Sequence, residues 1–150
     1  MDGTPEEPCP VLARLPAAWW HIPYRAARFP GSPAVAARPD IGEGANCQLF
    51  AYAVLAAFGL DAPAVRSSEL WADTAATRRV TIARPLDLVL VNATVDPWGA
   101  HVGVWAGEDR ILHLSAEAGR PAVWRMRDFA ARRRYRTLVG IKRVVRKAVP

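Results

Sequence analysis

Apolar residues follow a helical spacing in the first half of the chain. Between residues 46 and 58 they recur at intervals of one, three and four, which predicts a helix with one face turned to a core. Asn46 can cap this helix, and Gly59 can end it in the left-handed conformation. Ser67 and Ser68 precede a second, shorter segment, for which the pattern fits a helix or a loop equally well. The apolar face of the first helix consists of Leu49, Phe50, Ala53, Val54 and Ala57.

The spacing changes after residue 84. From there on, short segments rich in β-branched and apolar residues are bounded by Gly, Pro and Asp, which is typical of strands. A helical turn is predicted at residues 127–134. Helices followed by a run of strands are typical of an α+β protein. We therefore expect N-terminal helices packed on an antiparallel sheet of about five strands, at residues 85–93, 101–107, 110–115, 121–126 and 136–145.

The length of 150 residues fits one domain, spanning residues 1–150. Residues 1–40 hold most of the prolines, which disfavours regular structure, yet they also carry several large aromatic side chains. A free tail would not carry so much apolar surface. We expect a short helix near residues 11–20, followed by an ordered loop laid on the domain. The aromatic residues are Trp19, Trp20, Tyr24 and Phe29.

The cysteine content and the N-terminal composition indicate the cellular compartment in which the protein is expected. Cys9 and Cys47 are too few for a disulfide framework, and their number does not imply a bridge between them. The first twenty residues lack the basic start and apolar run of a signal peptide. No apolar run reaches the length of a membrane span. We therefore expect a cytoplasmic protein without a membrane span.

The net charge of +6 is concentrated near the C-terminus. Residues 125–147 contain ten Lys or Arg and one Asp. A solvated basic face is the simpler interpretation, and an anionic polymer is the alternative partner for this segment. The sequence "RRRYR" lies in it, but no known DNA- or RNA-binding motif accompanies it, so nucleic acid is not expected as a partner.

Two histidines fall on neighbouring predicted strands. A two-residue hairpin loop would put His101 and His113 on opposite faces of the sheet, whereas a three-residue loop, 107–109, would put them on the same face. The apolar residues of both strands decide the register, because they should share one buried face. That register places His113 opposite Gly103, with His101 as its diagonal neighbour. The apolar residues are Val102, Val104, Leu112 and Leu114.

A cysteine at a helix N-terminus and a histidine held by a second polar group suit thiol catalysis. The helix dipole and an adjacent imidazolium would both lower the pKa of Cys47. His101 would then transfer the proton, and His113 would accept the other ring N–H and orient it. The simpler alternative is a cysteine that only fills the core. Zinc is a further alternative, but the candidates for a fourth ligand lack ligand-like spacing: Asp87, Asp96 and Cys9.

The order of these pieces resembles the NlpC-type family of papain-like cysteine hydrolases, many of which cleave peptidoglycan peptides. In that family a strand G-D-L-V-F-F precedes H-V-G-I-Y-L-G, and a short strand then bears a third polar residue. Here residues 85–90 ("PLDLVL") and 101–107 ("HVGVWAG") match those strands, and His113 falls at the third position. Tyr24, in "HIPYR", resembles the tyrosine of a P-Y element near the thiol in that family. The resemblance covers about residues 22–115.

The nucleophile motif departs from the family. The usual D-C-S-G-L is replaced by Asn46-Cys47-Gln48-Leu49-Phe50, so a γ-glutamyl-diaminopimelate specificity is not implied. The resemblance implies a papain-like α+β fold, a Cys47–His101–His113 triad, a peptide or peptidoglycan-fragment substrate, and no cofactor or metal. The alternatives are acyl transfer by the same triad and a non-catalytic binding module with a basic C-terminal face. Residues expected to support the site are Tyr24, Asn46, Gln48, Trp98 and Trp105.

Overall fold

The computed structural model describes residues 10–149; Cys9, with the rest of residues 1–9 and residue 150, lies outside the described residues. Five α-helices and six strands are present in this part of the chain. The helices are α1 Pro10–Arg14, α2 Pro33–Ala37, α3 Cys47–Ala57, α4 Ser67–Ala72 and α5 Met126–Ala130. Single 3-10 turns occur at Ala17–His21, Ile41–Glu43 and Arg133–Tyr135. The strands are β1 Thr77–Val80, β2 Leu88–Asn92, β3 His101–Trp105, β4 Ile111–His113, β5 Ala122–Trp124 and β6 Thr137–Val144.

Helix α3 begins and ends as its sequence predicts. The side chain of Asn46 accepts a hydrogen bond from the Leu49 N–H at 2.8 Å, which satisfies one of the unpaired donors of the first turn. Gly59 follows the helix with φ +82°, a conformation that glycine adopts without a Cβ penalty. Phe50 and Val54 are fully buried against the sheet. The helix that carries Cys47 is therefore anchored at both ends and along one face.

The sheet confirms the α+β prediction, with six antiparallel strands in the order β1-β6-β2-β3-β4-β5. Six strands are one more than the five expected, because the sequence pattern does not predict β1. Its sequence, Thr-Arg-Arg-Val, carries exposed Arg78 and Arg79 and shows no apolar alternation. β1 forms at the sheet edge because β6 pairs with it along its whole length. The segment before it, for which the sequence fitted a helix or a loop, is helix α4.

The β3–β4 hairpin has the register that the apolar residues predict. Val104 pairs with Leu112 and Trp105 with Ile111, so Gly103 stands opposite His113. The loop has three residues, 107–109, closed by a hydrogen bond from the Ala106 N–H to the Arg110 carbonyl at 2.7 Å. A Cβ on Gly103 would lie 2.5 Å from the Ile111 side chain, so only glycine lets the strands meet here. His101 and His113 consequently share one face.

Each face of the sheet is covered by different elements. Helix α3 and the N-terminal segment cover one face, where Val11 and Ile22 join the main core. The other face carries the histidines and is covered by α5 and the 3-10 turn Arg133–Tyr135, whose Phe129 and Tyr135 are buried. Within residues 10–149, none of the helices has both the length and the apolar character needed to cross a bilayer.

Candidate active site

Cys47 occupies the first position of α3 and is half-buried. Backbone N–H groups of Val102 and Gln48 point at its sulfur, which places the thiol beside the start of β3. Two clefts meet at Cys47, one of about 340 Å³ and one of about 320 Å³. We call them the Trp98 cleft and the His101 cleft. Both are bordered by Tyr24, Gly99 and Ala100, so the thiol stands where a ligand could extend in two directions.

The two histidines form a buried pair. His101 Nε2 lies 2.9 Å from His113 Nδ1, and one hydrogen bond joins the rings. The ring planes are nearly perpendicular, at 87°, with their centroids 5.0 Å apart. His101 also lines the cleft that carries its name, together with Cys47. The structure thus brings the three predicted triad residues to one place; their catalytic roles remain a prediction.

Aromatic side chains enclose this pair, although the sequence pattern hardly indicates them. The Tyr135 ring lies 4.7 Å from His101, and Phe129 lies 4.8 Å from His113, between ring centroids. Trp124 is closer still, at 4.2 Å from His113. Phe129 and Tyr135 fall among the arginines of residues 125–147, and Trp124 directly precedes them, which masks the role of all three as core residues. The only signal was the apolar character of these three positions.

Electrostatics at the site differ from the expectation of a lowered thiol pKa. Burial raises the pKa of Cys47, and the nearby N–H groups and the charge of Arg66 offset only part of that rise. Burial also lowers the pKa of His101 and of His113, with Arg134 adding to the effect at His101. These directions favour a neutral thiol beside neutral imidazoles over the expected thiolate–imidazolium pair. At the histidines the cause is the aromatic cover, which removes water from their rings.

Four of the five predicted support residues border the thiol. Tyr24 lines both clefts, while Asn46 and Gln48 line the Trp98 cleft. Trp98 is 75% exposed and forms part of the wall of that cleft. Trp105 does not border this cleft. It lies four residues along β3 from His101 and packs against a smaller cluster of buried residues that includes Ile111 and Phe129. Of the residues expected to support the site, Trp105 is thus the one that lies outside both clefts.

Two arginines that the sequence did not single out face the clefts. Arg66 lines the Trp98 cleft and stacks on Phe29 at 4.4 Å, whereas Arg134 lines the His101 cleft and lies 5.6 Å from the Tyr135 ring. Both are exposed, and in residues 10–149 neither side chain forms an ion pair. No Asp or Glu of these residues lines either cleft. The region around the thiol therefore attracts anions.

No group of three or more His, Cys, Asp or Glu side chains suited to hold a metal ion occurs in the described part of the chain. Asp87, one of the residues weighed for zinc, is buried and accepts two hydrogen bonds from the Arg143 guanidinium, at 2.9 and 2.8 Å. Its carboxylate also accepts the Arg84 N–H at 2.7 Å. Asp87 thus fixes the start of β2.

The pH dependence of alkylation tests the electrostatics of Cys47. In a Cys9→Ser background, we expect the rate of reaction with iodoacetamide to keep rising above about pH 8.5, because burial holds the thiol pKa above its ordinary value. Replacing His101 by alanine should lower the rate below about pH 8.5 without moving the pH at which the rate rises, since a neutral imidazole can accept the thiol proton during attack but does not stabilise a resting thiolate. A reaction rate that levels off below about pH 7, and loses this plateau in the His101→Ala variant, would contradict the neutral resting site.

Comparison with known proteins shows a similarity of fold to solved structures. No family model matches the chain, and no curated protein matches it. Among solved structures, the crystal structure of the NlpC/p60 domain of the peptidoglycan hydrolase SagA is similar, with a TM-score of 0.49 and 20% sequence identity. The alignment covers 80% of this chain and 90% of that one. At this level of similarity, the chemistry of the site has to be argued from the residues of this chain.

Proposed function

We propose that this chain is a papain-like cysteine hydrolase that cleaves an amide bond in peptides derived from, or related to, peptidoglycan. The observation that carries the proposal is the placement of Cys47 and His101 in one cleft, with the far nitrogen of His101 bonded to His113 at 2.9 Å. A nucleophile, a base and an orienting group in this order suit covalent catalysis. The match of residues 85–90 and 101–107 to the NlpC-type strands supports the choice of substrate.

In the first half-reaction, Cys47 Sγ attacks the amide carbonyl while its proton passes to His101 Nδ1. His113 stabilises the resulting imidazolium by accepting the N–H from His101 Nε2. The C–N bond then breaks, His101 returns the proton to the leaving nitrogen, and a thioester remains on Cys47. In the second half-reaction, water gives a proton to His101 and attacks the thioester, which releases a carboxylic acid and restores the thiol.

The start of α3 can stabilise the negative oxygen of the intermediates. Cys47 and Gln48 occupy the first two positions of the helix, where backbone N–H groups have no partner one turn earlier. These donors are fixed by the helix, so they need no rearrangement when charge develops on the carbonyl oxygen. The same end of the helix carries the positive pole of its dipole.

The position of His101 indicates which half of the substrate each cleft would bind. A general acid must lie within hydrogen-bond reach of the leaving nitrogen, so the amine half of the substrate belongs in the His101 cleft. The acyl half then lies in the Trp98 cleft. Arg66 and Arg134 supply one cation on each side, which favours a substrate with a carboxylate in both halves. Peptidoglycan-type peptides, with their several carboxylates, satisfy this requirement.

The alternative of a binding module that uses a continuous basic C-terminal face receives less support. Several cations of residues 125–147 are occupied within the chain. Lys142 is buried and donates to the carbonyl of Trp71 at 3.2 Å. Arg132, Arg143 and Arg146 pair with Glu117, Asp87 and Asp61, respectively. Acyl transfer by the same triad is kept as a second candidate, because both reactions share the thioester.

Cleavage of peptides released from peptidoglycan by a muramidase tests the proposal. We expect new fragments in a mass spectrum and, in H₂¹⁸O, one labelled oxygen in the new carboxyl group; added glycine would replace that label if transfer competes. Arg66→Gln and Arg134→Gln should each raise KM about tenfold while kcat changes little, because a charge-assisted hydrogen bond is lost in binding. Equal fragment yields from the wild type and Cys47→Ala would refute the proposal.

A further inference from the structure

The hydrogen-bonding capacity of His113 is only half used. Its Nδ1 is bonded to His101, whereas its Nε2 is buried and has no hydrogen-bond partner in the described part of the chain. The two nitrogens of an imidazole point in different directions, so Nε2 faces away from His101. The side chain as a whole is fully buried. A buried N–H without a partner costs free energy, and native structures rarely leave one.

The hydrogen of His113 can be assigned to one nitrogen from the proposed role of His101 as the base. The inference about His113 therefore rests on the proposed function. His101 must present an unprotonated Nδ1 to the thiol, so its own hydrogen sits on Nε2 and is donated to His113 Nδ1. His113 is neutral because it is buried. Its single hydrogen therefore lies on Nε2, the atom without a conventional acceptor.

Aromatic rings pack closely against His113. The Trp124 ring lies 4.2 Å away with its plane inclined at 65°, and Phe129 lies 4.8 Å away at 58°. Rings inclined to each other in this way can place an N–H of one over the π electrons of the other. The Trp124 ring is also held in place: the Arg132 guanidinium lies 3.9 Å from its centroid and donates to Glu117 at 2.8 Å.

We propose that Trp124 is a positioning residue of the active site, whose indole ring receives the Nε2–H of His113 and so keeps Nδ1 of His113 available as the acceptor for His101. If the hydrogen moved to Nδ1, His113 would donate to His101 Nε2, and His101 would then carry its own hydrogen on Nδ1, facing the thiol. The base would be blocked without any change in the positions of the triad side chains. The surroundings of His113 thus fix the direction of the whole hydrogen-bond chain.

The ¹⁵N spectrum of the ring nitrogens tests this directly. In protein labelled at histidine, with signals assigned through His21→Ala and His113→Asn, we expect His113 to show a protonated Nε2 and an unprotonated Nδ1. Trp124→Leu should shift both signals towards the average of the two forms and lower kcat about fivefold with KM unchanged. Trp124→Phe keeps an aromatic ring and should restore both readouts.

Trp105→Leu is the matched control, since Trp105 is a half-buried tryptophan of the same core but lies at the far end of β3 from His101. It should lower stability without moving the His113 signals. A wild-type spectrum with the hydrogen on Nδ1, or equal spectra for Trp124→Leu and Trp105→Leu, would overturn the proposal. The spectrum is read without substrate, so it distinguishes this failure from a chain that proves inactive on peptides.

Discussion

Replacing Cys47 by alanine should lower kcat for peptide cleavage by at least about 10³-fold, because no other group lining the clefts in residues 10–149 can form the thioester. Alanine is a good helix former and the position is the first of α3, so the fold should persist. Cys47→Ser should be nearly as inactive, because a serine hydroxyl is a much weaker acid than a thiol and gives up its proton to His101 less readily. The measurement is the initial rate on the peptide that the wild type cleaves best.

Cys9→Ser is the control for this substitution. It removes the other thiol of the chain and should leave the rate within about twofold of the wild type, as expected for a change outside the catalytic machinery. A thermal unfolding curve of Cys47→Ala that overlays the wild type would show that inactivity is chemical. A substantial rate in Cys47→Ala would leave the clefts as a binding site and remove the thiol mechanism.

Removing the acceptor behind His101 should have the second-largest effect. In His113→Ala, His101 Nε2 loses the partner that lies at 2.9 Å, and the imidazole is free to turn or to carry its hydrogen on the wrong nitrogen. We expect kcat to fall by about 10²- to 10⁴-fold with a smaller change in KM. The size of the effect reflects orientation and tautomer together.

His113→Asn should recover much of this loss. Its amide oxygen can accept the same N–H, although the shorter side chain will lengthen the contact, so kcat should rise at least about tenfold above that of His113→Ala. His21 is exposed and outside both clefts, and His21→Ala should behave as the wild type. If His113→Ala and His21→Ala had the same kcat, His113 would be only a core residue.

Local patterns in the sequence were sufficient to predict the helix and hairpin that carry the triad. Asn46 and Gly59 bound α3 because a cap and a positive φ depend on residues within one turn. The histidine register followed from four apolar residues whose burial fixes which side of each strand faces the core. In both cases the deciding interactions join residues close in sequence.

Interactions between distant segments explain the features that the sequence did not predict. β1 has no amphipathic pattern of its own and exists because β6, from a distant part of the chain, pairs with it. Phe129 and Tyr135 are scattered among arginines, and their contact with the histidines depends on how α5 folds back over the sheet. The same cover accounts for the lowered pKa of both histidines, which the sequence pattern could not indicate.

The hairpin loop 107–109 joins the strand that carries His101 to the strand that carries His113. All three residues have positive φ, and the Asp109 side chain accepts the N–H of Met126 at the start of α5. Residues inserted into this loop would leave the Val104–Leu112 pairing in place, because the apolar residues fix the register, but they would displace Asp109 from Met126. A change in loop length is therefore expected to loosen α5, whose Phe129 covers His113, before it separates His113 from His101.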